Sequence, residues 1–329
     1  MTLRTRRHFL AQAGRCGAAA LLAHSLPGVI RAAPLGGTVG IQLYAVKDPL
    51  QADSAGTLRA IREIGFGEVE TAGFAGHSAQ QFRQLLDDAG LVCPSAHLEF
   101  DLDHLDAAFE QAHALGAHYA TSGSLHAVVL AAHGSPKQTP AARPGMSLEE
   151  AKRTAELANH IGQQARRAGL QYAYHNHDFE FADQGGGAIG YDLLLRETDP
   201  GLVQFEIDCG WMVVGGRDPR DYFGRYPDRF PMIHVKDFLP TPAQSGPASG
   251  LPAPRGAELG HGIIDYGPIF AAAQKAGLKH YFAEQEGPFT RMSELEAARQ
   301  AYTYLRKLDV PGLRPQSDDR SDRPSEARS

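Results

Sequence analysis

The sequence predicts an α/β fold, a single-domain (β/α)8 TIM barrel, and three observations point there. From Thr38 onward, short apolar strands alternate with amphipathic helices, with no break of the kind a second domain would need. Eight such units can be traced, the number that closes a parallel sheet on itself. Compact polar clusters stand at the ends of the later strands, and in a parallel barrel the strand C-termini share one face. A doubly wound open sheet is the alternative, but no Gly-x-Gly-x-x-Gly follows the first strand, which weakens a dinucleotide-binding reading.

The elements follow in order. Val39 to Tyr44 reads as a strand, and Ser54 to Ile64 as a helix with Ser54 as its candidate cap and Leu58, Ile61 and Ile64 on one stripe. Strands at Glu68 to Glu70 and Val92 to Leu98 flank a helix at Ser78 to Ala89, and a helix at Leu102 to Leu115 leads to a strand at His118 to Thr121. An irregular segment, His126 to Met146, interrupts the rhythm as an ordered lid or a mobile loop. A long helix runs from Ser147 to Ala168, where Ser147 and Glu150 have capping-box spacing. Strands at Gln171 to Asn176, Leu202 to Asp208, Met232 to Lys236 and His280 to Glu284 then alternate with helices near Tyr191 to Arg196, Pro219 to Tyr226, Tyr266 to Ala276 and Ser293 to Leu308. A second irregular loop covers Leu239 to Gly262.

At 329 residues and 43% hydrophobic content, the chain can fill one large barrel core. Its formal net charge is −6, but residues 1–32 hold five Arg and no acid; without them 27 basic residues face 38 acidic ones, a net charge of −11. So acidic a body argues against nucleic acid as a partner. Thr5, Arg6, Arg7, His8, Phe9 and Leu10 match the twin-arginine export pattern; an apolar stretch and a small-residue site near Ala32 follow. Residues 1–32 are therefore read as a twin-arginine signal peptide, with the translocase as partner and the periplasm as destination. The stretch is too short for a stable membrane span. The barrel is expected over residues 37–309, and the charged residues 310–329 as a disordered tail. Of three cysteines, Cys16 leaves with the signal; Cys93 and Cys209 read as buried strand thiols, with one disulfide left open.

The polar clusters carry the chemistry. They are Tyr174-His175-Asn176-His177 with Asp178 and Glu180 just beyond, Phe205-Glu206-Ile207-Asp208, Ile233-His234-Val235-Lys236-Asp237, and Phe282-Ala283-Glu284. His175 and His177 are in phase, so both are expected to face the barrel interior while Asn176 points away. Asp208 has a cap for the following loop as its lesser alternative reading. Lys236 reads as an oxyanion stabiliser or as one half of a surface pair with Asp237. Glu70 and His97 end the second and third strands, where either can hydrogen-bond a bound ligand.

In order and at β/α spacing, these clusters resemble the xylose isomerase-like TIM barrel superfamily of sugar phosphate isomerases/epimerases, nearer its inosose-dehydratase-like branch. The opening Gly40-Ile41-Gln42-Leu43-Tyr44 and Ser95-Ala96-His97 fit the same pattern, and the resemblance covers about residues 38–308. It implies one divalent metal ion held by ligands on strands five to eight. Carried over, these are His175, Asp208, His234 and Glu284, with His175 standing where the family commonly has Glu. Trp211 stands where many epimerases have His, and inosose-dehydratase-like members often carry Trp there. A nitrogen-richer shell favours Mn, Co, Fe or Zn over Mg.

The implied activity is sugar isomerisation or epimerisation by proton abstraction α to a carbonyl, with Glu284 as leading base, Glu180 or His177 as second, and Lys236 assisting. Losing the strand-five Glu also makes a lyase or dehydratase acting on a keto-sugar or keto-glycoside a close competitor, since only one base of the usual pair remains. A non-catalytic carbohydrate-binding barrel is the reading from another class. The expected partner is a sugar or cyclitol, contacted by Glu70, His97 and Trp211, with Phe74 a further stacking candidate. An oligomer is left open.

Overall fold

A computed structural model describes residues 37–123, 125, 128–129, 145–240, 254–286 and 292–312. The expected signal peptide, most of the irregular segments and nearly all of the tail lie outside the described residues.

Eight parallel strands close into a barrel: Gly40–Gln42, Glu68–Ala72, Val92–His97, Tyr119–Ser122, Gln171–His175, Val203–Asp208, Met232–Val235 and His280–Ala283. Each pairs with its sequence neighbours, and the eighth closes on the first with Gly40 opposite Phe282. The (β/α)8 reading is therefore correct.

Strand alternation sorts the side chains. In strand six Val203, Phe205 and Ile207 join the apolar layer shared with the helices, while the out-of-phase Glu206 bonds His175 of the neighbouring strand five and Asp208 caps the turn that follows it. Tyr119, Ala173, Met232 and Phe282 form a small separate apolar cluster. Two residues further along each of those strands stand Thr121, His175, His234 and Glu284. An apolar plug thus underlies a polar layer, and the plug explains Gly40: a Cβ there would lie 2.5 Å from the Phe282 ring.

Helices follow the strands at Ser54–Ile64, Ala79–Ala89, Leu105–Leu115, Leu148–Arg167, Gly190–Glu197, Pro219–Arg225, Tyr266–Lys275 and Glu294–Lys307. Leu58, Ile61 and Ile64 are buried as expected. Ser78 with Gln81, Ser147 with Glu150, and Ser293 with Glu296 each form a full capping box, and Asp53, Asp218 and Asp265 cap their helices through one side-chain oxygen.

Four local readings need correction. The first strand ends at Gln42, not Tyr44, because the Gln42 side chain accepts the Tyr44 N–H and turns the chain into a 3-10 helix, Leu43–Val46. The helix expected from Leu102 starts at Leu105. Cys209 opens an unexpected short helix, Cys209–Val214, rather than lying in a strand, and the run Cys209 to Val214 is apolar enough to hide that turn. Within the second irregular loop, Gly256–Ala257 pairs antiparallel with Asp237–Phe238. Cys93 and Cys209 are both free and buried. No helix among the described residues is long and apolar enough to cross a membrane.

Candidate active site at the strand C-termini

The polar layer divides into two groups that share His234. The outer group is Asp208, His234 and Glu284, whose donor atoms all lie within 4.8 Å of one another. The inner group is His97, His175, Glu206 and His234, under the same limit. His234 reaches both because its Nδ1 is 3.0 Å from Glu284 Oε2, while its Nε2 is 2.7 Å from Glu70 Oε2 and 3.2 Å from Glu206 Oε2.

Asp208 does two things. Its Oδ1 accepts the Trp211 N–H at 2.8 Å and caps the short helix, while its buried Oδ2 has no hydrogen-bond partner. The cap and ligand readings of this residue are compatible. Its backbone is pinned by Asn176, whose amide accepts from the Asp208 N–H at 3.0 Å and donates to its carbonyl at 3.2 Å. Asn176 points out of the site, as its phase requires.

Lys236 is buried, and its surface-pair reading is corrected. Its Nζ donates to Glu284 Oε2 at 3.1 Å, contacts Glu286 Oε1, and lies 3.7 Å from Asp208 Oδ2. Asp237 instead accepts backbone N–H groups from Phe238, Gly260, Gly262 and Ile264.

The inner group converges on one atom. Glu206 Oε2 lies 2.8 Å from His97 Nε2, 3.1 Å from His175 Nδ1 and 3.2 Å from His234 Nε2. Glu70 joins it, with Oε2 3.2 Å from His97 Nε2 and bonds from Gln42 Nε2 at 2.8 Å and from Ser95 Oγ. The structure therefore sets Glu70 and His97 among buried ligand-type groups, and His175 on Glu206 rather than among the outer donors.

The remaining sequence candidates lie around this core. His177 is half-buried, 5.2 Å from His175 and 6.2 Å from Trp211 between ring centroids. Glu180 sits in a short 3-10 turn, with Oε1 accepting from Tyr174 Oη at 2.9 Å and Oε2 from the His177 N–H at 3.0 Å. Trp211 packs 4.8 Å from Phe238, with Lys236 Nζ 5.0 Å from its ring, and its buried Nε1 lacks a hydrogen-bond partner. Phe74 packs on Phe82 in the helix layer. The sequence reading left Gln42, Ser95, Glu206 and Glu286 out of the site. Glu206 was within reach, because it is two residues from Asp208 and so shares its face.

Electrostatics follow from burial and crowding. Burial alone would raise Glu284, but Lys236 and His234 hold it well below the usual carboxylate range. Burial pushes Asp208 up to about 7, with Lys236 pulling it down and Glu284 pushing it further up. Burial opposes charge on His97, yet Glu70 and Glu206 raise it to about 10; His234 is raised in the same way by Glu206, Glu284 and Glu70. Burial and then the neighbouring His234 drive His175 well below the ordinary range, so it stays a neutral, ligand-ready imidazole. Burial pushes Glu180 up to about 8. Four buried carboxylates, three imidazoles and an unpartnered Asp208 Oδ2 fit a divalent cation: it would satisfy the orphan oxygen and replace protons that the histidines otherwise carry.

Comparison with known proteins agrees with this architecture. The family model described as xylose isomerase-like TIM barrel matches residues 58–308. An inosose dehydratase from Lacticaseibacillus casei is 31% identical over 173 residues, which cover 50% of this chain and 56% of that one. A second, from Geobacillus thermodenitrificans, is 28% identical over 177 residues, 50% of this chain and 57% of that one. The chain thus spans about half the length of the curated relatives it matches. Among solved structures, a sugar phosphate isomerase/epimerase from Parabacteroides distasonis superposes with a TM-score of 0.62 at 24% identity, covering 84% of this chain and 96% of that one. At that identity the likeness speaks for the fold alone. The family match spans most of the barrel, from the first helix to the last: the chain belongs to the xylose isomerase-like TIM barrel family.

Proposed function

We propose that this protein is a metal-dependent lyase, a dehydratase that removes the proton α to a carbonyl of a sugar or cyclitol and expels the β-hydroxyl as water. The observation that carries this reading is an asymmetry at the barrel mouth. Glu284 stands there ionised beside Lys236, whereas the other candidate carboxylate, Glu180, has both oxygens engaged by Tyr174 and the His177 N–H. Epimerisation needs a base on each face of a planar intermediate; elimination needs one base and one acid. The relatives named inosose dehydratase support the same direction.

When bound, a divalent cation supplies Lewis acidity, chelating adjacent carbonyl and hydroxyl oxygens and acidifying the α proton. Asp208, His234 and Glu284 would hold it. Glu284 takes the proton from carbon, the C–H electron pair becomes the new double bond, and the β C–O bond breaks. Lys236, within reach of Glu284 and Asp208, gives a proton to the leaving hydroxyl, which departs as water, and recovers one from the newly protonated Glu284. Isomerisation remains the second reading, because its first half, proton removal by Glu284, is the same.

Glu284→Gln keeps size and can still offer an oxygen, but it cannot accept the proton. At equal metal occupancy it should slow solvent-deuterium exchange into a keto-sugar or inosose by roughly 10² to 10⁴. Equal exchange in variant and wild type would remove Glu284 as the base. A water-depleted product identifies the lyase and a stereoisomer identifies the isomerase. A metal-loaded protein that turns over neither substrate would be a binding barrel. We further propose that residues 1–32 direct export through the twin-arginine translocase to the periplasm.

A further inference from the structure

We propose that the barrel holds a second divalent cation, bound by His97, His175 and Glu206 beside the outer group. Three imidazole nitrogens lie within 3.2 Å of the single atom Glu206 Oε2, contributed by strands three, five and seven. A carboxylate oxygen in a hydrogen-bond network has lone pairs for about two donors, so three ring nitrogens gathered on it mark a point of convergence beyond what that oxygen needs. Glu206 Oε1 is buried and has no hydrogen-bond partner, so half of this carboxylate faces nothing that would repay its burial.

His234 separates the two sites. A neutral imidazole has one lone pair and one N–H, so it can ligate one ion and donate to one acceptor. Its Nδ1 faces Glu284 and its Nε2 faces Glu70 and Glu206. With Nδ1 given to the outer ion, Nε2–H points at the inner carboxylates and orients the ring, as a partner on the far nitrogen commonly does for a ligating histidine. The inner site then keeps two imidazoles and a carboxylate, His97, His175 and Glu206, with Glu70 Oε2 3.2 Å from His97 Nε2 and no residue shared. That set suits a borderline ion such as Zn²⁺ or Co²⁺, whereas the oxygen-richer outer set suits a harder one. The inference rests on the functional reading above only in leaving His234 to an outer ion.

The test counts ions and needs no turnover. The purified full chain is stripped with chelator, loaded with Zn²⁺, washed, and measured by mass spectrometry for Zn²⁺ per chain. Two ions are expected in wild type, one in His97→Gln, one in Asp208→Asn, and none in the double variant. A single ion that Asp208→Asn removes and His97→Gln leaves in place would overturn the inner site and leave the proposed function standing. A single ion with the opposite dependence would support the inner site and overturn the outer one. Anomalous diffraction from wild-type crystals soaked in Zn²⁺ repeats the count without any variant: a peak among His97, His175 and Glu206 is expected, and its absence at full outer occupancy refutes the proposal.

Discussion

At the scale of single residues, Glu180 shows how a candidate base can serve structure instead. It is buried and bonded on both oxygens, and burial pushes it up to about 8. An unfolded Glu titrates near about 4.3. A raised folded pKa means the protonated carboxyl contributes stability that is whole below about pH 4.3 and is lost as pH climbs through about 8. Between those limits the unfolded chain gives up a proton the folded chain keeps, and stability falls by at most about 1.4 kcal/mol per pH unit. Glu180→Gln should flatten that slope when unfolding is followed from pH 5 to 8, although it surrenders one acceptor. An unchanged slope would mean that Glu180 is ionised throughout. Sequence patterns reached Asp208, His234 and Glu284 because each ends a strand in a short polar cluster. Glu70 looked like an isolated strand-end acid, since its contact with His234 spans 164 positions and only barrel closure brings the two together.

At the scale of elements, the helix Leu148–Arg167 lies against the start of strand six through Gly162. A Cβ there would sit 2.5 Å from the Leu202 carbonyl oxygen and 2.9 Å from its carbon, both backbone atoms that no rotamer change can move. Gly162→Ala gains up to about 1 kcal/mol of helix propensity. It should still lower stability by about 1–2 kcal/mol, because overpacking of this kind costs about 1–3 kcal/mol. Thermal unfolding several degrees below wild type is the expected result, and an equal or higher midpoint would show that the helix can shift. Helix and strand positions were legible because period and caps agree, as at Ser147 and Glu150. The short helix Cys209–Val214 was not, since its all-apolar run carries no helical stripe and its cap, Asp208, also reads as a ligand.

At the scale of the whole molecule, the proposed export signal has a direct test. Replacing both Arg6 and Arg7 with Lys should leave folded protein in the cytoplasm, seen by cell fractionation; unchanged delivery would make the pair incidental. The helix starts of the barrel bear on what can bind at its mouth. In this fold a phosphate commonly sits after strands seven and eight, on backbone N–H groups that a helix start leaves uncommitted. Here the helices after those strands begin with Asp265, which takes the Gly267 N–H, and with Ser293 and Glu296, which bond each other's backbone. Among the described residues, that rim presents carboxylates where a phosphate ester would seek donors. A neutral sugar should therefore compete for the site better than its phosphate ester, by roughly tenfold for each 1.4 kcal/mol of that mismatch. Inhibition by the matched pair measures it, and an ester that bound the more tightly would place an anion seat in this rim after all.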